Sequence, residues 1–255
     1  MPTIGVSIIA HNEEAQIAGA IESALFADEI VVVDCASTDR TAGIARSFDR
    51  VRLFARPNDP NLNVNKSFGF EQLTTDWIFY LDPDERIPTS LAVEIRRTID
   101  GTTDNAFRLP RRNHFFGRWL AHGGQYPDTQ LRLFRRGKAR FPNRHVHESL
   151  EVEGSIGRLC EPFDHFPYPT LDDYIRKMNF YTSFQATFWQ KEGRKPGLID
   201  SARFLLFRPT SRFLRRYLLK GGWRDGWQGY LAALGDAFQT AASYGKFLER
   251  TARDA

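Results

Sequence analysis

The chain has 255 residues, 42% of them hydrophobic and 26% charged, a globular balance that excludes wholesale disorder. Its two cysteines, Cys35 and Cys160, stand far apart with no CxxC, which excludes a disulfide scaffold and a thiolate zinc site and fits a reducing compartment. The net charge of +4 is uneven: residues 1–100 carry −7 and residues 101–255 carry +11, which reads either as solvated surface charge or as a front half suited to cations before a back half suited to something anionic.

In chain order, the first hundred residues alternate strand and helix signals. Ile4–Ala10 is a short apolar run, and Glu14–Phe26 places Ala15, Ala18, Ile21 and Leu25 near a helical period. The β-branched run Glu29–Asp34 reads as a strand buried on both faces. Ser37 and Thr38 are candidate caps for a helix running to about Phe48, followed by a strand at Val51–Phe54. A helix over Val64–Leu73 leads to the strand Trp77–Leu81, which stops at Asp82-Pro83-Asp84-Glu85. This alternation predicts a mostly parallel, Rossmann-like α/β sheet flanked by helices. From Ala106 to about Ile156 short strands and loops are expected, and from Leu171 helices dominate. The expected division is a catalytic domain over residues 1–165 and a helical extension over 166–255. No stretch reaches the roughly 18 apolar residues that span a bilayer. The opening MPTIGVSIIAHNEE lacks a signal peptide's basic region. A cytoplasmic protein is expected.

In an open parallel sheet, ligands bind beyond the carboxyl ends of the strands. Three polar clusters fall there: His11-Asn12-Glu13-Glu14, Asp34-Cys35-Ala36-Ser37-Thr38-Asp39, and Asp82-Pro83-Asp84-Glu85. Each alone reads equally as a cap or turn; three on successive loops describe a nucleotide crevice. Asp82 and Asp84, two hard carboxylates after an apolar strand, suit Mg²⁺ or Mn²⁺ when phosphate oxygens complete the coordination. Lys66 is a candidate diphosphate contact or a solvated helix lysine. Neither GxGxxG nor GxxxxGK[ST] is present, which argues against dinucleotide and P-loop sites. Further on, Asp128 is either a cap or a base for an acceptor hydroxyl, and Arg132 is placed to orient it or to neutralise phosphate. Alternation puts His145 and His147 on one face, as metal ligands, leaving-group contacts or structural histidines.

The segments VSIIAHNEE, EIVVVDCASTDRT, NVNKSFGFEQLTTDWIFYLDPDE, RRNHFFGRWLAHGGQYPDTQLRLFRRGKARF, HVHESL and KGGWRDGWQGYLAAL resemble, in order, the inverting family 2 glycosyltransferases of the GT-A fold. Within that family the chain is similar to the bacterial group that adds sugars in lipopolysaccharide core assembly. The resemblance implies that Asn12 and Glu13 meet the nucleotide and that Asp34 and Asp39 hold base and ribose. Lys66 then sits near the diphosphate, and Asp82 and Asp84 form the metal-binding DxD, with Asp82 also touching the nucleotide. Asp128 matches the catalytic base, although Pro127 replaces the acidic partner often found before it. His147 and Glu148 match a recurrent VHE, in which His147 is taken as a further metal ligand. The implied reaction is a single in-line displacement on a nucleotide sugar, expected to be a UDP-sugar. Mg²⁺ or Mn²⁺ is the cofactor, and the acceptor is a saccharide or lipid-linked glycan.

Residues 201–224 hold seven basic residues and no acidic ones, interleaved with Phe204–Phe207, Phe213, Leu214 and Tyr217–Leu219. Phe213, Leu214, Tyr217 and Leu218 share one helical face, with Trp223 and Trp227 beyond. Such a helix suits either an anionic membrane surface on the inner leaflet or packing on the catalytic domain. A haloacid dehalogenase-type phosphohydrolase fits FYLDPDERI but needs its motif on the first strand. A basic nucleic-acid-binding module leaves the acidic loops unexplained, and no nucleic acid is expected as a partner.

Overall fold

The computed structural model describes residues 1–142 and 149–253. The elements run β1 (Ile4–Ala10), α1 (Ile17–Ala24), β2 (Glu29–Cys35), α2 (Thr41–Arg46), β3 (Val51–Arg56), α3 (Leu62–Glu71), β4 (Trp77–Leu81), β5 (Glu85–Arg86) and α4 (Thr89–Ile99). There follow β6 (Ala106–Phe115), β7 (Arg118–Trp119), β8 (Asp128–Arg135), β9 (Ala139–Arg140), β10 (Glu151–Val152), β11 (Ile156–Arg158) and β12 (Phe163–Tyr168). The chain ends in α5 (Leu171–Lys191), α6 (Leu198–Ala202), α7 (Arg208–Leu214) and α8 (Gly226–Arg253). Two π-helical turns, Arg203–Phe207 and Arg215–Leu219, flank α7.

The main sheet has the order β3-β2-β1-β4-β8-β6-β12-β5. β1 pairs in parallel with β2 on one side and β4 on the other, and β3 extends the parallel half. β8 pairs antiparallel with β4, so the sheet is mixed. Every residue of β1 and six of the seven in β2 are buried, the pattern of strands covered on both faces. Because β2 and β4 lie on opposite sides of β1, the strand order reverses there. In this class of sheet that reversal opens a crevice at the carboxyl ends.

The chain divides into two compact units, residues 1–111 with 129–165 and residues 112–128 with 166–255. In the first, Ile17, Ala20, Ile21 and Ala24 of α1 join Ile4, Val6, Ile8, Val32, Trp77 and Phe79 in the core. Helix α1 starts later than its sequence pattern suggests, because the Glu13 carbonyl takes the amides of Gln16 and Ile17 in a turn. In the second unit, Phe115 and Leu120 pack with Tyr174 and Ala232, which is why the segment 112–128 belongs with the C-terminal helices. Ala186, Phe204, Tyr244 and Phe247 form a further buried cluster. Thr170 caps α5 by accepting the Asp173 amide at 3.1 Å.

Helix α3 lies so close to β1 that a Cβ on Gly69 would strike the Ser7 hydroxyl and press Val33 at 3.3 Å. Gly69→Val is therefore expected to cost about 1–3 kcal/mol by overpacking, read as a lower urea midpoint with an unchanged m-value.

Candidate active site

At the ends of β1 and β2 two loops are stitched together by their own polar groups. Asn12 adopts φ 55° and Ala36 φ 56°, left-handed values that Asn tolerates and Ala resists. The Asn12 side-chain Oδ1 accepts the Thr38 backbone amide at 2.8 Å, and the Asn12 backbone amide donates to Ser37 Oγ at 3.0 Å. The Glu13 amide donates to Thr41 Oγ1 at 2.8 Å. Asp39 accepts from the amides of Thr41 and Glu14 at 2.9 and 3.1 Å and from the Thr41 hydroxyl. Burial pushes the Asp39 carboxyl up, but these bonds outweigh it and hold it below the ordinary range. Asn12 and Asp39 thus shape the loops that the crevice requires.

Asp34 differs from these. It is 6% exposed, and its Oδ2 accepts the Ser37 amide at 3.3 Å. Asp34 Oδ1 and Asn65 Oδ1 are buried acceptors with no hydrogen-bond partner among the described residues. Asn65 reaches the same strand end, its Nδ2 lying 3.2 Å from Cys35 Sγ. A buried acceptor without a donor costs free energy, so both oxygens suit a ligand that brings N–H or O–H groups.

The end of β4 is the most charged part of the first unit. Lys66 Nζ lies 3.0 Å from Asp82 Oδ1, and Arg132 Nη2 lies 2.8 Å from Asp82 Oδ2. Arg132 also reaches Glu85 Oε1 at 2.5 Å, and Arg111 meets the same oxygen at 3.3 Å. The second Glu85 oxygen accepts the Asp82 amide at 3.0 Å. Glu85 is fully buried and the Arg132 side chain is 5% exposed. Burial pushes Asp82 up, but Lys66 and Arg132 outweigh it and hold the carboxyl far below the usual range. Burial, joined by the Asp82 charge, raises Glu85 against the pull of Arg132. Arg132 was expected to serve Asp128 or a phosphate; its guanidinium is engaged by Asp82 and Glu85.

Asp84 Oδ2 lies 3.5 Å from His165 Nε2, because β12 pairs with β5 in a register that sets His165 opposite Glu85. Sequence gave His165 no pattern, since 81 positions separate it from Asp84. Among the described residues no group of three or more His, Cys, Asp or Glu side chains is arranged to hold a metal. A hard divalent ion that takes phosphate oxygens and water needs few protein donors. Asp84 and His165 fit that requirement. Asp82 fits it less well, because both of its oxygens already meet cations. His147, expected as a ligand, lies outside the described residues, as do His145 and Glu148.

In the second unit Asp128 opens β8 after the loop Ala121–Pro127. Its Oδ2 accepts from Asn113 Nδ2 at 3.1 Å, and the same amide donates to the Gln125 carbonyl at 3.1 Å. Asn113 is 5% exposed, so one buried amide fixes both the loop and the carboxylate that ends it. Sequence offered no sign of this partner.

Removing Arg132 would leave two carboxylates short of their shared cation. Arg132→Met is expected to lose about 3–5 kcal/mol of stability, measured by urea denaturation, and adding Glu85→Gln should restore part of that loss.

Residues 6–150 match the family model for glycosyl transferase family 2. The lipopolysaccharide core biosynthesis glycosyltransferase LpsC of Rhizobium meliloti is 32% identical over 96% of this chain and 92% of its own length. An uncharacterised glycosyltransferase of Rickettsia typhi is 26% identical over 93% of this chain and 84% of its own. Among solved structures, the mannosyltransferase PcManGT from Pyrobaculum calidifontis, in complex with GDP-Man and Mn²⁺, superposes with a TM-score of 0.56 at 14% identity. That match covers 97% of this chain and 87% of that one. S. aureus TarS 1–349 in complex with UDP gives 0.51 at 14% identity over 96% and 91%. The chain belongs to glycosyl transferase family 2 and has the GT-A fold.

Proposed function

We propose that this glycosyltransferase moves a sugar from a UDP-sugar to a saccharide or lipid-linked acceptor, with inversion and with Mg²⁺ or Mn²⁺, in lipopolysaccharide core assembly. The observation that carries the reading is the end of β4, where Lys66, Asp82, Arg132, Asp84 and His165 converge. The lipopolysaccharide assignment rests on the likeness to LpsC.

In this reading the orphaned oxygens of Asp34 and Asn65 accept from the nucleoside, while the loops shaped by Asn12, Glu13 and Asp39 wall the crevice. Lys66 faces the diphosphate, and Arg132 fixes Asp82 where the ribose and diphosphate pass. Asp84 and His165 would hold the divalent ion, with His147 as a further candidate. When bound, that ion supplies positive charge against the departing nucleoside diphosphate. Asn113 orients Asp128 through its Oδ2, and the Asp128 carboxylate takes the proton of the attacking acceptor hydroxyl. With one base and no nucleophilic carboxylate required, the displacement is single and the anomeric configuration inverts.

The acceptor side is read as an anionic membrane surface on the inner leaflet. Leu206, Phe207, Leu218 and Leu219 are 60%, 66%, 53% and 84% exposed, and Arg203, Arg208, Arg215, Lys220 and Arg224 are exposed among them. Apolar side chains in a basic field are what an anionic bilayer attracts. Two arginines expected to face lipid do not do so freely: Arg212 and Arg216 bind Asp236 at 2.6 and 2.8 Å. Phe213 and Tyr217 turn inward against Tyr230, which splits the expected face and leaves Leu214 and Leu218 outward. Among the described residues no helix is long and apolar enough to cross a membrane.

Mn²⁺ with UDP is expected to raise the melting temperature, by about 2.7 kcal/mol of stabilisation at a hundredfold excess over Kd. Asp84→Ala should abolish the shift. Asp128→Asn should keep it and lower kcat by roughly 10²–10⁴; a shift with GDP alone would reassign the base. On vesicles rich in phosphatidylglycerol at low salt, the chain should co-sediment. Replacing Arg203 or Arg215 by Ser should weaken that partition by about 1 kcal/mol each, and equal binding to neutral vesicles would refute the electrostatic part.

A further inference from the structure

The motif Lys220-Gly-Gly-Trp-Arg-Asp-Gly-Trp227, of which the reading above uses only the exposed charges of Lys220 and Arg224, grips the loop that ends in Asp128. Asp225 is 3% exposed. Its Oδ2 accepts the His122 amide at 2.8 Å, and its Oδ1 lies 2.9 Å from His122 Nδ1. The Gly123 amide donates to the Lys220 carbonyl at 2.9 Å. Lys220 lies across Gly124, which has φ 74°; a Cβ there would stand 2.6 Å from Nζ and 2.8 Å from Cδ. The point where a Cβ on Gly221 would stand is 3.6 Å from Arg224 Cδ and 3.7 Å from His122 Cδ2. Arg118 Nη2 donates to the Arg224 carbonyl at 3.3 Å. Lys220 against Gly124, Arg224 over the Trp223 ring at 5.4 Å and Arg118 on the Arg224 carbonyl thus border this loop, with the buried carboxylate already engaged by the His122 ring. Trp119 and Trp223, 38% and 54% exposed, add flat apolar faces.

We infer that Lys220, Arg224 and Arg118 form a binding subsite for a phosphate or carboxylate group on the acceptor saccharide, with His122 oriented by Asp225 to meet a neighbouring hydroxyl. A carboxylate only accepts, so facing Asp225 places a proton on His122 Nδ1 and turns Nε2 to meet a sugar hydroxyl. The cations supply charge-assisted donors, and the indole faces suit the apolar face of a sugar ring. The inference rests on the glycosyltransferase reading, because it assigns the chemical class of that reaction's acceptor.

The test is a titration of the full chain, without vesicles, followed by tryptophan fluorescence. The probes are mannose 6-phosphate against mannose, and galacturonic acid against galactose. The charged sugar of each pair is expected to bind at least tenfold tighter than the neutral one, an advantage that salt erodes. Lys220→Met with Arg224→Met should remove about tenfold per cation, with the melting temperature and the UDP–Mn²⁺ shift unchanged. Asp225→Asn should weaken charged and neutral sugars alike. Equal affinity within each pair, or full affinity in the double variant, overturns the inference. Binding to anionic vesicles without binding to either charged sugar also overturns it, by assigning the cations to lipid headgroups. Failure of the UDP–Mn²⁺ response with charged-sugar binding intact would count against the donor reading and leave the subsite standing.

Discussion

The Arg132 guanidinium is the one group on which the first unit's polar architecture turns. It sits almost wholly out of water between Asp82 and Glu85, and each member of that trio is tolerable in the interior only because of the others. Glu85 in turn takes the Asp82 amide, so the turn leaving β4 is closed by a buried ion network instead of by backbone geometry alone. Tyr80 stacks under the guanidinium at 4.2 Å and under Lys66 at 5.1 Å, extending the support into the aromatic core of Phe70, Phe134 and Phe141. The carboxylates at this strand end are held by packing as much as by charge, which is the rigidity a site needs if its groups are not to reorganise during reaction.

The crevice is written locally, and so it was legible. β1, β2 and β4 are apolar runs that stop at polar clusters, and hydrophobic run length together with the stop residue suffices to read them. Asp82-Pro83-Asp84 follows from the same logic. What escaped were partners that the topology brings together: His165 beside Asp84 by strand register, Arg132 beneath Asp82 across an antiparallel pairing, Asn113 on Asp128. No period or spacing encodes a contact between residues 15 to 81 positions apart. For Asp39 the local reading left a cap and a ligand open, and its hydrogen bonds to Thr41 and Glu14 serve the loop.

The basic stretch 201–224 teaches a related lesson about faces. A helical wheel assumes 3.6 residues per turn, but two π-helical turns shift the phase here. Phe213 and Tyr217 pack on Tyr230, and Arg212 and Arg216 close on Asp236. Charge counted along the sequence therefore overstates what is available to a partner, because part of it is neutralised within the unit.

The path of the chain has a consequence for how the protein is made. Residues 112–128 are synthesised inside the stretch that builds the first unit, yet the cluster of their apolar side chains Phe115 and Leu120 is completed by the later residues Tyr168, Tyr174 and Ala232. About a hundred residues must be added after Leu120 before α8 can close that cluster, a wait of roughly 5–20 s at ordinary translation rates. During that interval the growing chain carries an aromatic cluster that lacks Ala232 of α8. The nascent protein therefore depends on its last helix to hide what its middle exposes, and a ribosome stalled between the two would leave a sticky intermediate for chaperones to shelter.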